Sequence, residues 1–373
     1  MKNGLSKKDS SLIYGIAILM MIYHHLFSNP QRLGCTEYFS ILNTLFGGIT
    51  EQRLAWLFRL CVPFYAFISG YGICTIISKN EVTMRCSFKY VHSNYLLVFK
   101  QILKLLKKYW LVFVIFIPMG FHFFGLHHIG PKTFTRNLLG LANDYNAEWW
   151  YVKQYMMMLI LFPIFDFVLC NLLLLINKYI ITKFKYGKVF VLSFVSFLGF
   201  FFLIFRNAPV FRFLIQQLHN GTFVFTLVFF VGYLCSFFHI FEFGVNNLNF
   251  QKIKPFLALA LLFTCVGIRW IRAYDAVYCK YDAFITAPII YSVVILVNYL
   301  KPLASFLQKL GKYSTYMWLT HTFFCFYYFN HWILKAKISI LMFILTTILS
   351  FLTAFILTQI ENKLSTLFSP SHK

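Results

Sequence analysis

The sequence L12-I-Y-G-I-A-I-L-M-M-I-Y-H-H-L-F27 decides the class of structure to which this chain belongs. Its apolar side chains form a run of the length that crosses the hydrocarbon core of a bilayer, about 30 Å, as a helix. Two adjacent histidines, His24 and His25, lie within one turn of its end. Ionisable side chains within a membrane span are costly, so this pair predicts chemistry at one end of a membrane helix.

The whole chain repeats this apolar character. Hydrophobic residues make up 60% of its 373 residues and charged residues only 12%, which excludes a soluble globular protein. We therefore predict an all-α polytopic transmembrane bundle that forms a single domain over residues 1–373. The apolar runs predict about ten spans, near residues 11–27, 54–77, 109–124, 149–169, 189–205, 222–241, 256–271, 284–300, 314–332 and 338–360.

The basic residues predict the orientation of these spans. Most of the 34 Lys and Arg residues fall at the two ends of the chain and in the even-numbered loops, so both termini are predicted to be cytoplasmic. His24 and His25 then lie near the outer face. The net charge of +23 indicates attraction to anionic lipid, and so apolar a chain gives no reason to expect nucleic acid as a partner.

The nine cysteines show no C-x-x-C or Cys/His ligand spacing, so we predict neither a metal site nor a redox motif. Cys35 and Cys279 fall in predicted outer loops and would pair only in an oxidising compartment. Two separate thiols are the favoured interpretation.

Four stretches, in order along the chain, carry a family resemblance. They are the first span, V-P-F-Y-A-F-I-S-G-Y at 62–71, W-Y-V at 150–152 before Pro163, and L-G-K-Y-S-T-Y-M-W-L-T-H at 310–321. Together they resemble the motifs of the acyltransferase family 3 integral membrane proteins. In the first stretch His25 occupies the position of the histidine that this family shares.

The resemblance implies a function. Members of this family move acyl groups, usually acetyl, from cytoplasmic acyl-CoA to hydroxyls of cell-surface glycans or small molecules. By this resemblance, acetyl-CoA is a co-substrate and no cofactor is bound permanently. The chain would lie in a bacterial plasma membrane, with the lipid bilayer and a surface glycan as partners. His25 would be the catalytic residue, either as the base that takes the proton of the attacking hydroxyl or as a relay that carries the acyl group.

One position departs from the family pattern. The family has an arginine where this chain has Tyr14, and eleven residues at about 100° each return Tyr14 to the face of His25, about 16 Å below it. If the arginine holds a phosphate of the donor, another side chain must do so here. Lys7 is a candidate because it lies on the same face, about five turns from His25.

Further charged side chains are candidate substrate contacts. Arg59 and Lys153 lie within predicted spans, where a cation needs a partner, a wet cavity or an interface to which it can extend. The arginines concentrate in the outer loops, which predicts an acceptor site or, equally, anchoring to lipid phosphates. The candidates for this outer site are Arg206, Arg212, Arg269 and Arg272, with the carboxylates Asp275 and Asp282.

Three other features have two readings each. His321 is either a substrate contact or a structural histidine. Ser69 with Gly70 predicts close packing of two helices, and Ser69 as an acyl nucleophile is the less favoured reading. The basic stretch 88–108 predicts a helix that lies in the membrane interface, and its lysines would also steer the donor.

Two functions outside this reading stay open. A transporter or flippase of a polar lipid or sugar would also need many spans, although such proteins often contain an internal repeat, and none is visible here. A family member without catalytic activity is the other, because of Tyr14.

Overall fold

A computed structural model describes residues 4–34, 37–79, 81–127, 130–176, 223–242, 248–271 and 281–367. Within these ranges the regular structure is helical, apart from an isolated bridge between Phe39 and Ile338. We number the α-helices in chain order: α1 (Lys7–Phe27), α2 (Ile41–Phe46), α3 (Thr50–Leu57), α4 (Cys61–Ile77), α5 (Val82–Arg85), α6 (Phe88–Phe123), α7 (Pro131–Leu138), α8 (Trp150–Ile176), α9 (Phe223–Phe237), α10 (Leu248–Ile271), α11 (Asp282–Tyr299), α12 (Lys301–Thr322), α13 (Asn330–Leu334) and α14 (Ser339–Leu367).

The described helices confirm the prediction of a helical membrane bundle. Six of the segments that the structure describes are long and apolar enough to cross a membrane: Lys7–Phe27, Thr50–Ile77, Ala147–Leu175, Gln251–Ile271, Asp282–Tyr299 and Ser339–Leu367. Helix α9 is apolar but shorter, and the predicted fifth span, 189–205, lies outside the described residues. The count of ten spans and the cytoplasmic termini stay predictions.

Two helices are longer than the spans predicted within them. Residues 301–313, predicted to lie mostly in a loop, form the first half of α12, which begins at Lys301 with Pro302 in its first turn, where proline is well accommodated. Residues 88–108, predicted as a separate interfacial helix, are continuous with the next span in α6. Neither glycine nor proline interrupts α6 before Pro118, so its backbone hydrogen bonds can continue.

The contacts divide the chain into two compact units. The first consists of the described parts of Met1–Ser6, Pro63–Ile102 and Gln154–Leu296, and the second of those of Lys7–Val62, Leu103–Lys153 and Val297–Lys373. The prediction of one domain over residues 1–373 stays a prediction.

Glycines permit the closest helix packing within each unit. In the second unit, Gly15 of α1 lies against the backbone carbonyl of Leu307 in α12, and Gly311 of α12 lies against that of Ser11. In the first unit, Gly70 of α4 lies against the backbone of Phe229 in α9. Small residues allow such approach of two backbones. The predicted role of Gly70 in close helix packing is confirmed.

The connection between α6 and α8 folds back along α6, within the second unit. The Tyr109 hydroxyl donates to the carbonyl oxygen of Asn137 at 2.6 Å, and the Trp110 indole donates to that of Leu138 at 2.8 Å. These two donors lie about 20 Å along α6 from its end at Phe123. Buried polar and aromatic side chains hold the segment inside the unit: Asn137, Tyr145, Asn146 and Trp149.

Candidate functional site

His25 occupies the last turn of α1, and its side chain is 14% exposed. Its Nε2 atom lies 3.8 Å from Oε2 of Glu148. This distance is too long for a hydrogen bond but short enough for an imidazolium and a carboxylate to attract each other. An imidazole next to a carboxylate, largely removed from solvent, is a suitable arrangement for proton transfer.

Glu148 comes from the short 3₁₀ turn Ala147–Trp149 that leads into α8. Its other oxygen, Oε1, lies 2.7 Å from Nη2 of Arg32, and its side chain is 11% exposed. Its backbone N–H donates to Oδ1 of Asn146 at 3.1 Å. The carboxylate is thus fixed by Arg32 on one side and directed at His25 on the other.

Arg32 contacts both Glu148 and an aromatic ring next to His25. It lies in the short helix Pro30–Leu33, and its guanidinium is 4.0 Å from the centre of the Phe326 ring. Phe326 in turn meets the ring of His25 edge-on at 6.0 Å between centroids. The apolar ring keeps water from part of the His25 imidazole and holds Arg32 in place by a cation–π contact.

His321 is the third member of the group. It is 0% exposed, and its ring centroid lies 5.1 Å from that of His25. Its Nδ1 atom is 2.8 Å from the Trp318 carbonyl oxygen and 3.2 Å from that of Met317. Carbonyl oxygens only accept, so Nδ1 carries the hydrogen and Nε2 carries a lone pair.

Several contacts bring the turn that carries Glu148 to this end of α12. The Asn146 amide donates to Oγ1 of Thr322 at 2.7 Å, and the Trp149 indole donates to the Leu319 carbonyl at 3.0 Å. The backbone N–H of Ala147 also donates to the Tyr327 hydroxyl at 3.0 Å. Tyr327 ends the π-helix Phe323–Tyr327, which follows α12 directly. Such π-helical turns frequently occur at functional sites.

His24 points elsewhere. Its Nδ1 atom lies 2.7 Å from the Ala55 carbonyl oxygen, and its ring meets that of Trp56 edge-on. Helix phase separates adjacent residues by about 100°, so only one of the two histidines can face the Glu148 carboxylate. The structure places His25 next to Glu148, and the catalytic role of His25 stays a prediction.

Arg59 and Lys153, the two cations predicted within spans, are both half-buried. Arg59 is half-buried in the turn Phe58–Leu60, close to the Trp56 ring. Lys153 is half-buried in the first turn of α8. Within the described part of the chain, no ion pair or hydrogen bond joins Lys153 to His25.

The predicted acceptor contacts fall partly outside the described residues, which is the case for Arg206, Arg212, Arg272 and Asp275, and also for Cys35 and Cys279. Arg269 and Asp282 are described and belong to the first unit. Nε of Arg269 lies 2.9 Å from Oδ1 of Asp282, and both side chains are buried. The structure therefore pairs these two predicted contacts with each other.

The two predicted donor contacts lie on α1. Tyr14 is half-buried, and Lys7 is exposed at the start of the helix. No group of three or more His, Cys, Asp or Glu side chains that could hold a metal ion occurs in the described ranges.

Glu148 is the functional candidate that sequence reasoning missed. Its only apparent neighbour in sequence was Lys153, five residues away, which is a poor spacing for a helical pair. The available signal was its position as the carboxylate immediately before the W-Y-V motif. Nothing in the sequence indicated that this segment returns to the end of α1.

A comparison with protein families identifies the family of the whole chain. The model of the acyltransferase domain, acyltransferase family 3, matches residues 12–359. No curated protein and no solved structure matches the chain. The family match begins with the helix of His25 and extends almost to the end of α14, so this multi-pass membrane protein belongs to acyltransferase family 3.

Proposed function

We propose that the protein transfers an acetyl group from cytoplasmic acetyl-CoA to a hydroxyl of a cell-surface glycan or exopolysaccharide at the outer face of a bacterial plasma membrane. The observation that carries this proposal is the largely buried group formed by His25, Glu148 and His321 within a chain of the acyltransferase family. A sugar hydroxyl is a poor nucleophile near neutral pH, and an imidazole is the side chain best suited to take its proton.

In the proposed chemical step His25 acts as the base. The hydroxyl oxygen attacks the thioester carbonyl while His25 takes its proton, and the C–S bond then breaks. The CoA thiolate leaves and recovers the proton from the imidazolium. Glu148, 3.8 Å from the imidazole, stabilises the positive charge while it exists. The relay is the alternative, in which His25 attacks the thioester and then passes the acyl group to the hydroxyl.

The cations near His25 suit the negative charge of the transition state. Arg59 and Arg32 both act electrostatically on His25. Arg32 holds Glu148, and we propose Arg59 as the cation that faces the charge that develops on the thioester oxygen. Positively charged donors directed at such an oxygen commonly contribute a large part of the rate enhancement.

We propose that the acyl donor and the glycan acceptor contact different side chains. Lys7 and Tyr14, on the histidine face of α1, would contact the CoA end of the donor. The glycan would contact Lys153, which follows Glu148 by five residues. The further acceptor contacts expected from the sequence, Arg206, Arg212, Arg269, Arg272 and Asp282, stay predictions.

Mass spectrometry of surface glycans tests the reaction class and the acceptor together. Cells with the gene are compared with cells that lack it and with cells that carry it on a plasmid. We expect one acetyl mass per modified sugar to disappear without the gene and to return with the plasmid. Unchanged glycan masses would contradict the proposal. Substrate uptake by vesicles without any acyl-CoA would favour a transporter.

A second candidate rests on Tyr14. Where the family has an arginine, this helix carries a half-buried tyrosine that cannot supply a cation. A family member without catalysis, acting as a membrane partner, is therefore the runner-up. In that case the glycan masses stay unchanged, although the protein is inserted and abundant.

A further inference from the structure

A buried nitrogen without a hydrogen-bond partner lies beside the candidate base. The carbonyls of Trp318 and Met317 fix the hydrogen of His321 on Nδ1. Its Nε2 is therefore an acceptor only, and among the described residues nothing donates to it. A buried acceptor left without a donor costs about 1–3 kcal/mol. Such a cost is commonly retained where the atom takes part in function.

The nearest titratable ring is that of His25. The two ring centroids are 5.1 Å apart and the ring planes are tilted by 39°. An N–H···N bond of about 3 Å between two imidazoles places their centroids about 5 Å apart. The separation is thus right for a hydrogen bond, although none is made in this arrangement. Catalytic hydrogen bonds are often poorly aligned without substrate and tighten in the complex.

The fixed lone pair constrains the protonation of His25. Two lone pairs that face each other repel, so the ring nitrogen of His25 on the side of His321 must carry its hydrogen when the rings align. A neutral imidazole has one such hydrogen. The other nitrogen of His25 is then left unprotonated and free to act on the substrate, with Glu148 near enough to stabilise the cation that forms.

We propose that His321 is a positioning residue that accepts a hydrogen bond from His25 and thereby fixes His25 in the tautomer that acts on the substrate. The proposal rests on the acyl transfer proposed above. It holds for His25 as base and as acyl relay, since both need one unprotonated nitrogen. A third group that orients the imidazole is a recurrent feature of acyl-transfer sites.

Two substitutions, made in the full-length purified protein, test the roles of the two ring nitrogens of His321 separately. His321→Asn keeps an N–H donor for the backbone carbonyls and removes the acceptor at Nε2. His321→Gln places an amide oxygen near the position of Nε2 and so keeps an acceptor that is not a base. His331→Asn, at an exposed histidine of α13, is the matched control.

The first measurement does not depend on the natural substrates. Diethyl pyrocarbonate modifies the unprotonated nitrogen of histidine, and peptide mass spectrometry gives the rate at His25 relative to that at exposed His122. We expect His321→Asn to lower this rate several-fold, and His321→Gln and His331→Asn to leave it nearly unchanged. An unchanged rate at His25 in a folded His321→Asn protein would overturn the proposal.

The second measurement is steady-state acyl transfer. We expect His321→Asn to lower kcat by about 10²-fold with little change in KM, and His321→Gln to recover most of the loss. A raised KM with unchanged kcat would instead make His321 a substrate contact. If His321→Asn does not fold, His321→Gln decides, because a folded but inactive Gln variant also overturns the proposal. A wild-type protein without acyl transfer would contradict the proposed function alone, since His25 modification still reports on positioning.

Discussion

The two carboxylate oxygens of Glu148 have different partners. Oε1 is bound to Arg32 at 2.7 Å, and Oε2 is directed at His25 at 3.8 Å. Arg32 thus neutralises the carboxylate in the resting protein and keeps it in place. In the proposed reaction, in which His25 takes a proton, the same carboxylate would stabilise the imidazolium. A nearly buried pair of this kind is stronger than an exposed one because water screens it less.

Glu148→Gln tests this division of roles. The amide keeps the shape and a hydrogen bond to Arg32 but cannot stabilise an imidazolium, so we expect kcat to fall by about 10- to 10²-fold with little change in KM. Acyl transfer by purified protein checks this. Glu37→Gln, an exposed residue of the same predicted outer loop as Arg32, is the control and should behave as wild type. Unchanged kcat in Glu148→Gln would exclude a catalytic role for this carboxylate.

At the scale of elements, α1 is placed by its crossing with α12. A Cβ on Gly15 would strike the backbone carbonyl of Leu307, and one on Gly311 would strike that of Ser11. Backbone atoms cannot give way as the end of a flexible side chain can, so the helices would have to separate. Because α1 carries His25 and α12 carries His321, this crossing also sets the distance between the two rings.

Gly15→Ala should therefore separate the two helices and lower both stability and activity. We expect a loss of about 1–3 kcal/mol from overpacking, seen as a lower apparent melting temperature of the purified protein, together with reduced acyl transfer.

Gly72→Ala is the matched control, because a Cβ there meets no atom within 4 Å. Alanine favours a helix over glycine by about 1 kcal/mol, so this variant should be unchanged or slightly more stable. Equal melting temperatures for the two variants would contradict the account of the crossing.

The returning segment between α6 and α8 is the second element that sets the site. Asn146 is fully buried, donates to Thr322 and accepts from the backbone of Glu148. It connects the turn that carries Glu148 to the end of the helix that carries His321. Its two bonds therefore control where the carboxylate lies.

Asn146→Ala should displace Glu148 without removing it. We expect a fall in kcat that resembles the effect of Glu148→Gln, together with about 1–3 kcal/mol lower stability from the buried groups left unpaired. A double-mutant cycle between Asn146→Ala and Glu148→Gln checks the link. Full additivity of the two effects on kcat would show that Asn146 does not act through Glu148.

Across the whole molecule, the first unit has its own buried charge network. Arg85 of α5, Asp166 of α8 and Tyr233 of α9 bond to one another, and all three are nearly inaccessible. The Phe237 ring lies 4.9 Å from the Arg85 guanidinium. These bonds connect three segments of the first unit that are distant in sequence. A polar atom of the network that lost its partner would stay buried, away from water, and its lost hydrogen bond would not be replaced.

Asp166→Asn should destabilise the protein far more than Tyr233→Phe. The first change leaves the guanidinium of Arg85 without its counter-charge, at a cost of about 3–5 kcal/mol. The second removes one hydroxyl from a network that keeps its ion pair, at about 1–2 kcal/mol. Apparent melting temperatures in detergent measure both. A larger loss in Tyr233→Phe would contradict this order.

The features that the sequence predicts correctly are those carried by local pattern. The apolar runs predict the membrane helices, Gly70 predicts close packing, and helix phase separates His25 from His24. The meeting of Glu148 with His25 was not predictable, because it depends on a segment that returns about 20 Å along α6 through bonds between residues distant in sequence. The fixed tautomer of His321 likewise depends on two carbonyls whose direction only the folded helix sets.

The proposed reaction depends on His25 as the residue that carries acyl transfer. The most direct measurement is the acetyl content of surface glycans, by mass spectrometry, in cells that produce wild-type protein, His25→Ala or His24→Asn at equal levels in the membrane. His24→Asn can keep a hydrogen bond to the Ala55 carbonyl and serves as the control. The account predicts that acetylation is lost in His25→Ala and retained in His24→Asn. Full acetylation in a correctly inserted His25→Ala protein would contradict it.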